Sequence, residues 1–318
     1  MKPFFALALS FFLCHNLHAG HMEGAAAQVR KPVPPVLKQV APDLYFFYND
    51  ASSNSAFLVT DEGVLAIDSG QHPADGRALL ERIRKVTDKP VKWLVNTHAH
   101  GDHFLGNPAF KQAGAAIVAH RDTAIMMKQH YAYEIGRRGA YFKRNNLDPK
   151  EVALVMPDVV FDSSMTITLG NRTVQLLYLG PGQNPGDTMI HFPHARALFI
   201  GGPFARQNWS NTTFTPSVDG WIGLLRKAAA LDVELYLPGH GDAGSKQDVL
   251  DEAKWLGDFQ AGVRAAMAQG MSKEEMVRKL HFREYQHMRN YPLIHNFIEA
   301  LHHLYSTGKP VVAMPPSP

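Results

Sequence analysis

Directly after an apolar run at residues 91–95 the chain reads Thr97-His98-Ala99-His100-Gly101-Asp102-His103. Three imidazoles and one carboxylate fall within six consecutive positions. Zinc favours neutral imidazole nitrogen and carboxylate oxygen, and a turn can aim alternate side chains at one point. The small residues Ala99 and Gly101 let the backbone between the ligands fold tightly. A His-rich surface loop is the bland reading in a chain with 17 His. The position at a strand end, the spacing and the paired acid argue for a metal site.

The other strands and helices can be read around that loop. Residues 56–59 and 64–67 are short apolar runs separated by Asp61-Glu62-Gly63, a hairpin pattern. Residues 73–86 are helical, with Leu79, Leu80, Ile83 and Val86 on one face. Further strands are expected at 116–119, 165–169, 174–179, 189–192, 197–200 and 234–237, with Gly170-Asn171 turning the second into the third. A helix is expected at 221–231. Mixed strands with interspersed helices imply an α/β layered domain, residues 36–245. Residues 246–308 differ. They read as C-terminal helices, the middle one opened by the capping box Ser272-Lys273-Glu274-Glu275. A chain of 318 residues, 45% of them hydrophobic, is long enough for such a core plus an appendage.

The ends of the chain are of another kind. Lys2 followed by the apolar stretch 4–14 has signal-peptide proportions and is too short to span a bilayer. Cleavage after Ala19 would expose a flexible Ala-, Gly- and Pro-rich leader, residues 20–35, and the chain closes on a Pro-rich tail, 309–318. A periplasmic or secreted protein without a stable membrane anchor is therefore expected. The single cysteine, Cys14, would leave with the signal, so neither a disulfide nor a thiolate ligand is expected in the mature chain. A net charge of +3 with no basic run offers no footprint for nucleic acid, and the expected partner is a small-molecule substrate. Oligomeric state is not legible.

The order of three motifs resembles the metallo-β-lactamase superfamily, whose signature is H-x-H-x-D-H after a strand. Ile67-Asp68-Ser69-Gly70 is similar to the early strand-end Asp motif, and Leu237-Pro238-Gly239-His240-Gly241 to the late G-H-G. The resemblance implies a four-layer αββα sandwich with a C-terminal helical extension. It implies metal ligands His98, His100, Asp102, His103 and His240, with Asp68 buttressing a ligand histidine. The chain resembles cysteine-free metallo-β-lactamases and quinoprotein-associated periplasmic zinc hydrolases.

Two positions depart from the family pattern. Gly180-Pro181-Gly182-Gln183-Asn184 stands where G-P-G-H-T is usual, so Gln183 takes the place of a ligand histidine. Gly202 follows Gly201 where a bridging carboxylate is frequent. Three pictures stay open: two zinc ions with Gln183 as a ligand, one ion on Asp102, His103 and His240, or a site drifting out of catalysis.

The function implied is hydrolysis of a lactam, lactone, thioester or ester by zinc-activated water, with Asp102 as the catalytic residue, using a spare oxygen to orient the water and pass on its proton. The alternatives are a β-lactamase proper and a degenerate member that binds metal or ligand with little turnover. Phosphoesters fit less well, because no arginine pair is visible beside the motif. The aromatic residues Tyr131, Tyr133, Tyr141 and Phe142, in a helical or loop insertion at 129–146, are candidates to line the substrate pocket, opposite Asn208-Trp209-Ser210. Ordinary packing is the competing reading for each. His191, His194, His302 and His303 read as surface or packing residues.

Overall fold

A computed structural model describes residues 33–208 and 211–312. The signal-peptide reading, most of the leader, Trp209-Ser210 and the end of the Pro-rich tail lie outside the described residues.

The first sheet has seven strands in sequence order: β1 (Val36–Ala41), β2 (Leu44–Tyr48), β3 (Ser55–Val59), β4 (Val64–Ile67), β5 (Val91–Val95), β6 (Ala116–His120) and β7 (Val159–Phe161). Strands β1 to β4 pair antiparallel through short turns, whereas β4 to β7 run parallel. Parallel neighbours need crossovers. They are supplied by α1 (Pro73–Arg84), by α2 (Gly101–Phe104) with α3 (Asn107–Gln112), and by α4 (Arg121–Arg144). The second sheet has β8 (Ser164–Leu169), β9 (Arg172–Leu177), β10 (Met189–Phe192), β11 (Ala197–Ala205) and β12 (Leu235–His240), in the order β12-β11-β10-β9-β8. Only β11 and β12 are parallel there, joined through α5 (Val218–Ala229). The helices α6 (Lys246–Ala268), α7 (Lys273–Lys279) and α8 (Ile294–Thr307) complete the described chain.

Side-chain alternation explains why the sheets stack. Leu65 and Ile67 face one way and meet Val174, Leu176, Ile190 and Phe199 of the second sheet. Val64 and Ala66, one residue out of phase, pack instead on Leu79, Leu80 and Ile83 of α1 and Phe110 of α3. The second sheet repeats the scheme. Phe199 joins the inter-sheet core, while Leu198 and Ile200 pack under Trp221 and Leu225 of α5 and Leu256 and Phe259 of α6. Both sheets are thus apolar on both faces and need helices outside, which gives the four layers αββα. Each large side chain so buried contributes about 1.5–3 kcal/mol.

The C-terminal helices share that outer core: Phe297, Ile298 and Leu301 of α8 lie against Trp255 and Phe259. The expected capping box forms, with Ser272 accepting from the Glu275 N–H, and Ser245-Asp248 makes a second one at the start of α6. The insertion at 129–146 proves to be most of α4, a 24-residue helix. Strands β1, β2 and β7 and helix α3 had no distinct signature, and β11 runs past the expected 197–200 to Ala205.

Candidate metal centre

The motifs meet where β4, β5, β11 and β12 bring the loops at one edge of the sandwich together. Asp68 follows β4 directly and takes a left-handed φ of 55°. That turn brings both carboxylate oxygens onto the β5 loop. Oδ1 accepts from the Thr97 N–H at 2.8 Å; Oδ2 accepts from the Thr97 hydroxyl at 2.8 Å and from His103 Nδ1 at 2.6 Å. Asp68 therefore buttresses His103, and it also fixes that ring's tautomer. With the proton on Nδ1, the Nε2 lone pair is directed away from Asp68, and this buried atom has no hydrogen-bond partner.

Around that lone pair gather two further donors. Asp102 Oδ2 lies 3.9 Å from His103 Nε2 and 3.4 Å from His240 Nε2. The ligand atoms of Asp102, His103 and His240 all lie within 4.8 Å of one another. His240 reaches this point because Asn54 clamps the loop after β12, donating to the carbonyls of Pro238 (3.0 Å) and Gly241 (2.7 Å). Ser53 holds the other side by donating to the Asp102 carbonyl.

His98, His100 and Gln183 form a second group beside the first. The His98 and His103 rings are 4.0 Å apart. Since the Thr97 hydroxyl donates to Asp68, it accepts from His98 Nδ1 (2.9 Å), so His98 Nε2 carries a lone pair too. That nitrogen faces His100 Nδ1 at 3.0 Å. Two nitrogens sharing a tetrahedral zinc would stand about 3.3 Å apart. Gln183 is buried, its Oε1 has no hydrogen-bond partner, and it points inward. A Cβ added at Gly202 would run into Gln183 Oε1 and sit 2.7 Å from His98 Nε2. Gly202 lies inside β11, beside a break in its register with β12, and not at a strand end. A carboxylate at position 202 would occupy the space that Gln183 and His98 share.

The electrostatics suit a cation. Burial first, and neighbouring charges after it, hold His98 and His100 well below the ordinary imidazole range. Desolvation, opposed by Asp102, pulls His240 down to about 4. Burial alone would raise the Asp102 pKa, but Arg138 and the histidines hold it well below the usual carboxylate range. His103 is the exception: burial lowers its pKa, but Asp68 and Asp102 outweigh that and leave it raised. Three imidazoles held low, a carboxylate kept ionised and the partnerless buried atoms His103 Nε2, His100 Nε2 and Gln183 Oε1 form a set that fits zinc.

Three features were not anticipated. Arg138 of α4 donates to Asp102 Oδ1, so the oxygen expected to be spare is engaged. Arg137 and Arg138 share the buried Glu134, which gives the site an arginine pair where none was expected. Phe214 packs on the His100 ring at 5.2 Å and on His130 at 5.2 Å. The contacts to Asp102 and to His100 join positions far apart in the chain, which no local pattern marks, whereas the Glu134 pairs have the i,i+3 and i,i+4 spacing of neighbours on one helix face and could have been read from the sequence.

Most of the aromatic candidates for the pocket anchor α4 instead. Tyr131 donates to the Val152 carbonyl (2.6 Å), Tyr141 to Asp75 (2.9 Å), and Phe142 is buried edge-on against His72. Tyr133 stays 40% exposed beside Phe214. Asn208 accepts from the Asn290 amide at 3.0 Å. His191 is tied to Gln175 (2.8 Å) within the second sheet. Neither His191, His194, His302 nor His303 enters the metal-ligand cluster found among the described residues.

Comparison with known proteins identifies the family and the fold. The family profile described as the metallo-beta-lactamase superfamily matches residues 48–240. A linear primary-alkylsulfatase of Pseudomonas sp. (strain ATCC 19151) is 24% identical over 255 residues, covering 69% of this chain and 48% of that protein. A metallo-beta-lactamase type 2 of Bacillus sp. (strain 170) is 25% identical over 218 residues, 65% of this chain and 74% of the relative. The chain thus spans about half the length of the alkylsulfatase it matches. Among solved structures, a stereoselective inverting sec-alkylsulfatase from Pseudomonas sp. superposes with a TM-score of 0.68 at 15% identity, over 85% of this chain and 50% of that one. A metallo-beta-lactamase from Pontibacter korlensis gives 0.56 at 20% identity, over 70% and 99%.

Proposed function

The chain belongs to the metallo-beta-lactamase superfamily, and from that premise we propose that it is an exported zinc-dependent hydrolase of an acyl-type bond in a small molecule: a lactam, lactone, thioester or ester. The observation that carries this reading is the convergence of Asp102, His103 and His240 ligand atoms within 4.8 Å, next to the facing nitrogens of His98 and His100. Asp102, His103 and His240 would hold one ion, and His98, His100 and Gln183 a second. Zinc, when bound, supplies a Lewis acid for the scissile group and lowers the pKa of water to about 7.

The chain's own residues do the rest. Asp68 keeps the proton on His103 Nδ1 and Thr97 keeps one on His98 Nδ1, so that both Nε2 atoms stay available as donors. Asp102 stays ionised against Arg138, with Oδ2 turned to the histidines, where it can align an attacking water. Phe214 covers the His100 ring and limits water access on that side.

Zinc stoichiometry by mass spectrometry, followed by turnover of a panel of β-lactams, lactones, thioesters and esters, tests the reading. One or two zinc ions with turnover of at least one class is the expected result. Zinc-loaded protein inactive on the whole panel would leave a binding protein, and a β-lactamase proper would turn over the β-lactams alone.

A second reading, cleavage of a sulfate ester, rests on the match to an alkylsulfatase and on Arg137, which Glu134 holds beside the site with 27% of its side chain exposed. Alkyl sulfates therefore belong in the same panel.

Export to the periplasm or medium is proposed from Lys2, the apolar stretch 4–14 and Ala19. None of the described helices is long and apolar enough to cross a membrane. Intact mass of material recovered outside the cytoplasm should begin near Gly20, and retention of Met1 would refute the cleavage.

A further inference from the structure

We propose that Arg138, held by Glu134 on the same face of α4, is a positioning residue that orients Asp102 for metal binding. The proposal rests on the reading of this site as a metal centre. Glu134 and Arg138 are four residues apart and so lie side by side on the helix.

Glu134 is fully buried, a costly place for a carboxylate unless its lone pairs are used. All its recorded partners lead to the site. Oε2 accepts from the Gly101 N–H at 2.8 Å and from Arg138 Nη2 at 3.2 Å, and Oε1 accepts from Arg137 Nη1 at 2.9 Å. Gly101 lies between the ligands His100 and Asp102, so Glu134 fixes the main chain in the middle of the ligand loop. Any side chain at Gly101 would obstruct this: a Cβ there would lie 2.9 Å from Glu134 Oε2 and 3.2 Å from Arg138 Nε.

Arg138 completes the arrangement from the other direction. Its Nη2 reaches Asp102 Oδ1, leaving Oδ2 to face His240 and His103. The two carboxylate oxygens thus have separate tasks, one bound to the guanidinium and one turned to the ion. Asp102 is held at three points: its main-chain carbonyl by Ser53, the N–H of the preceding Gly101 by Glu134, and its carboxylate Oδ1 by Arg138. A different role for Arg138 would be to anchor an anionic group of the substrate. Its Nη2 is already committed to two carboxylates, and only 16% of the side chain is exposed, which favours positioning.

The test uses the full mature chain and three variants: Arg138→Met, Arg138→Lys and Glu134→Gln. Zinc affinity is measured by chelator competition, the ligand field by the visible spectrum after cobalt substitution, and the fold by the melting temperature of the metal-free protein. Arg138→Met should lower the affinity of the tighter zinc about 10- to 100-fold, the usual loss when a partner of a metal ligand is removed. It should also alter the cobalt bands. Arg138→Lys should restore part of both, because an ammonium supplies the charge without the planar fork.

Unchanged affinity and spectrum in Arg138→Met would overturn the proposal. So would intact zinc binding with a KM rise confined to anionic substrates, which would reassign Arg138 to the substrate. If Arg138→Met fails to fold, Glu134→Gln decides, since the amide still accepts from Gly101 but loses the charge that holds both arginines. It should weaken zinc in the same direction, and wild-type affinity there would overturn the proposal. A wild-type chain that takes up neither zinc nor cobalt removes the metal-centre reading itself, an outcome distinct from equal uptake by wild type and variant.

Discussion

The two halves of the candidate centre share the loop after β5, each completed by a residue from another segment, but they are backed in different ways. Asp102, His103 and His240 carry one formal negative charge among the ligands, and Asp68 adds another directly behind His103. His98, His100 and Gln183 carry none, and the group behind His98 is the neutral hydroxyl of Thr97. A dication is held by charge as well as by lone pairs, so the first half should fill before the second. An amide oxygen is also a poorer zinc donor than imidazole. The difference teaches that identical residues in one motif need not make equivalent sites. What stands behind a histidine sets how strongly it binds.

The largest expected effect strikes the charged half. Asp102→Asn should keep the fold, because the amide fills the same space, yet lower turnover by ~10²–10⁴, the range for losing a group that aligns or deprotonates water. Turnover within about tenfold of wild type, with an unchanged circular dichroism spectrum, would remove Asp102 from its role and flatten the contrast between the halves.

His240→Ala comes next and should abolish the tighter zinc, since one of three converging donors is gone. His191→Ala, whose ring bonds Gln175 in the second sheet away from the ligand cluster, is the matched control and should bind zinc like wild type. Equal zinc content in the two variants, at equal folded fraction, would mean that the late ligand is misassigned.

Gln183→His acts on the neutral half. It should raise affinity for the second zinc by about one to two orders of magnitude and bring the stoichiometry towards two when metal is limiting. Gln183 Oε1 and His98 Nε2 already border the same space over Gly202. An unchanged second-site affinity in a well-folded variant would remove residue 183 from the ligands.

Thr97→Val probes the connection between the halves and should have the smallest effect. The hydroxyl donates to Asp68 and accepts from His98, so its loss frees the His98 ring while leaving the Asp68–His103 bond in place. Second-site affinity should fall about tenfold, the low end for a partner of a ligand, with the first site almost unaffected. A larger loss at the first site, read by the same chelator competition, would show that Thr97 serves Asp68 more than His98.

Much of this centre was legible from residue order. The six-residue motif and Asp68 each follow an apolar strand and His240 ends one, and a strand end is where a sheet can aim a side chain at a shared point. The α/β layering was legible from strands interspersed with helices, whereas the four layers were only implied by the family resemblance; runs such as Val64–Ile67, apolar at every position, show why both faces need cover. Shorter elements were not. The three residues of β7 gain their extended form from parallel pairing with β6, and α3 owes its place to packing of Phe110 under the first sheet. The aromatic residues of α4 carry the same composition whether they line a pocket or anchor a helix. Only their partners, Val152, Asp75 and His72, separate the two.

The sequence by itself determined the layered α/β fold and set His98, His100, Asp102 and His103 in one loop, because strand alternation and a motif within one loop are local properties that any correct packing preserves. The tertiary structure alone decided that Gln183 turns inward and that Asp102 has one oxygen facing His103 and His240 and the other bound by Arg138. Those outcomes depend on contacts such as the one linking Asp102 to a helix 36 positions away. Such contacts exist only once the crossover after β6 has been folded down over the strand ends, and no period or spacing in the chain encodes the angle at which that helix arrives.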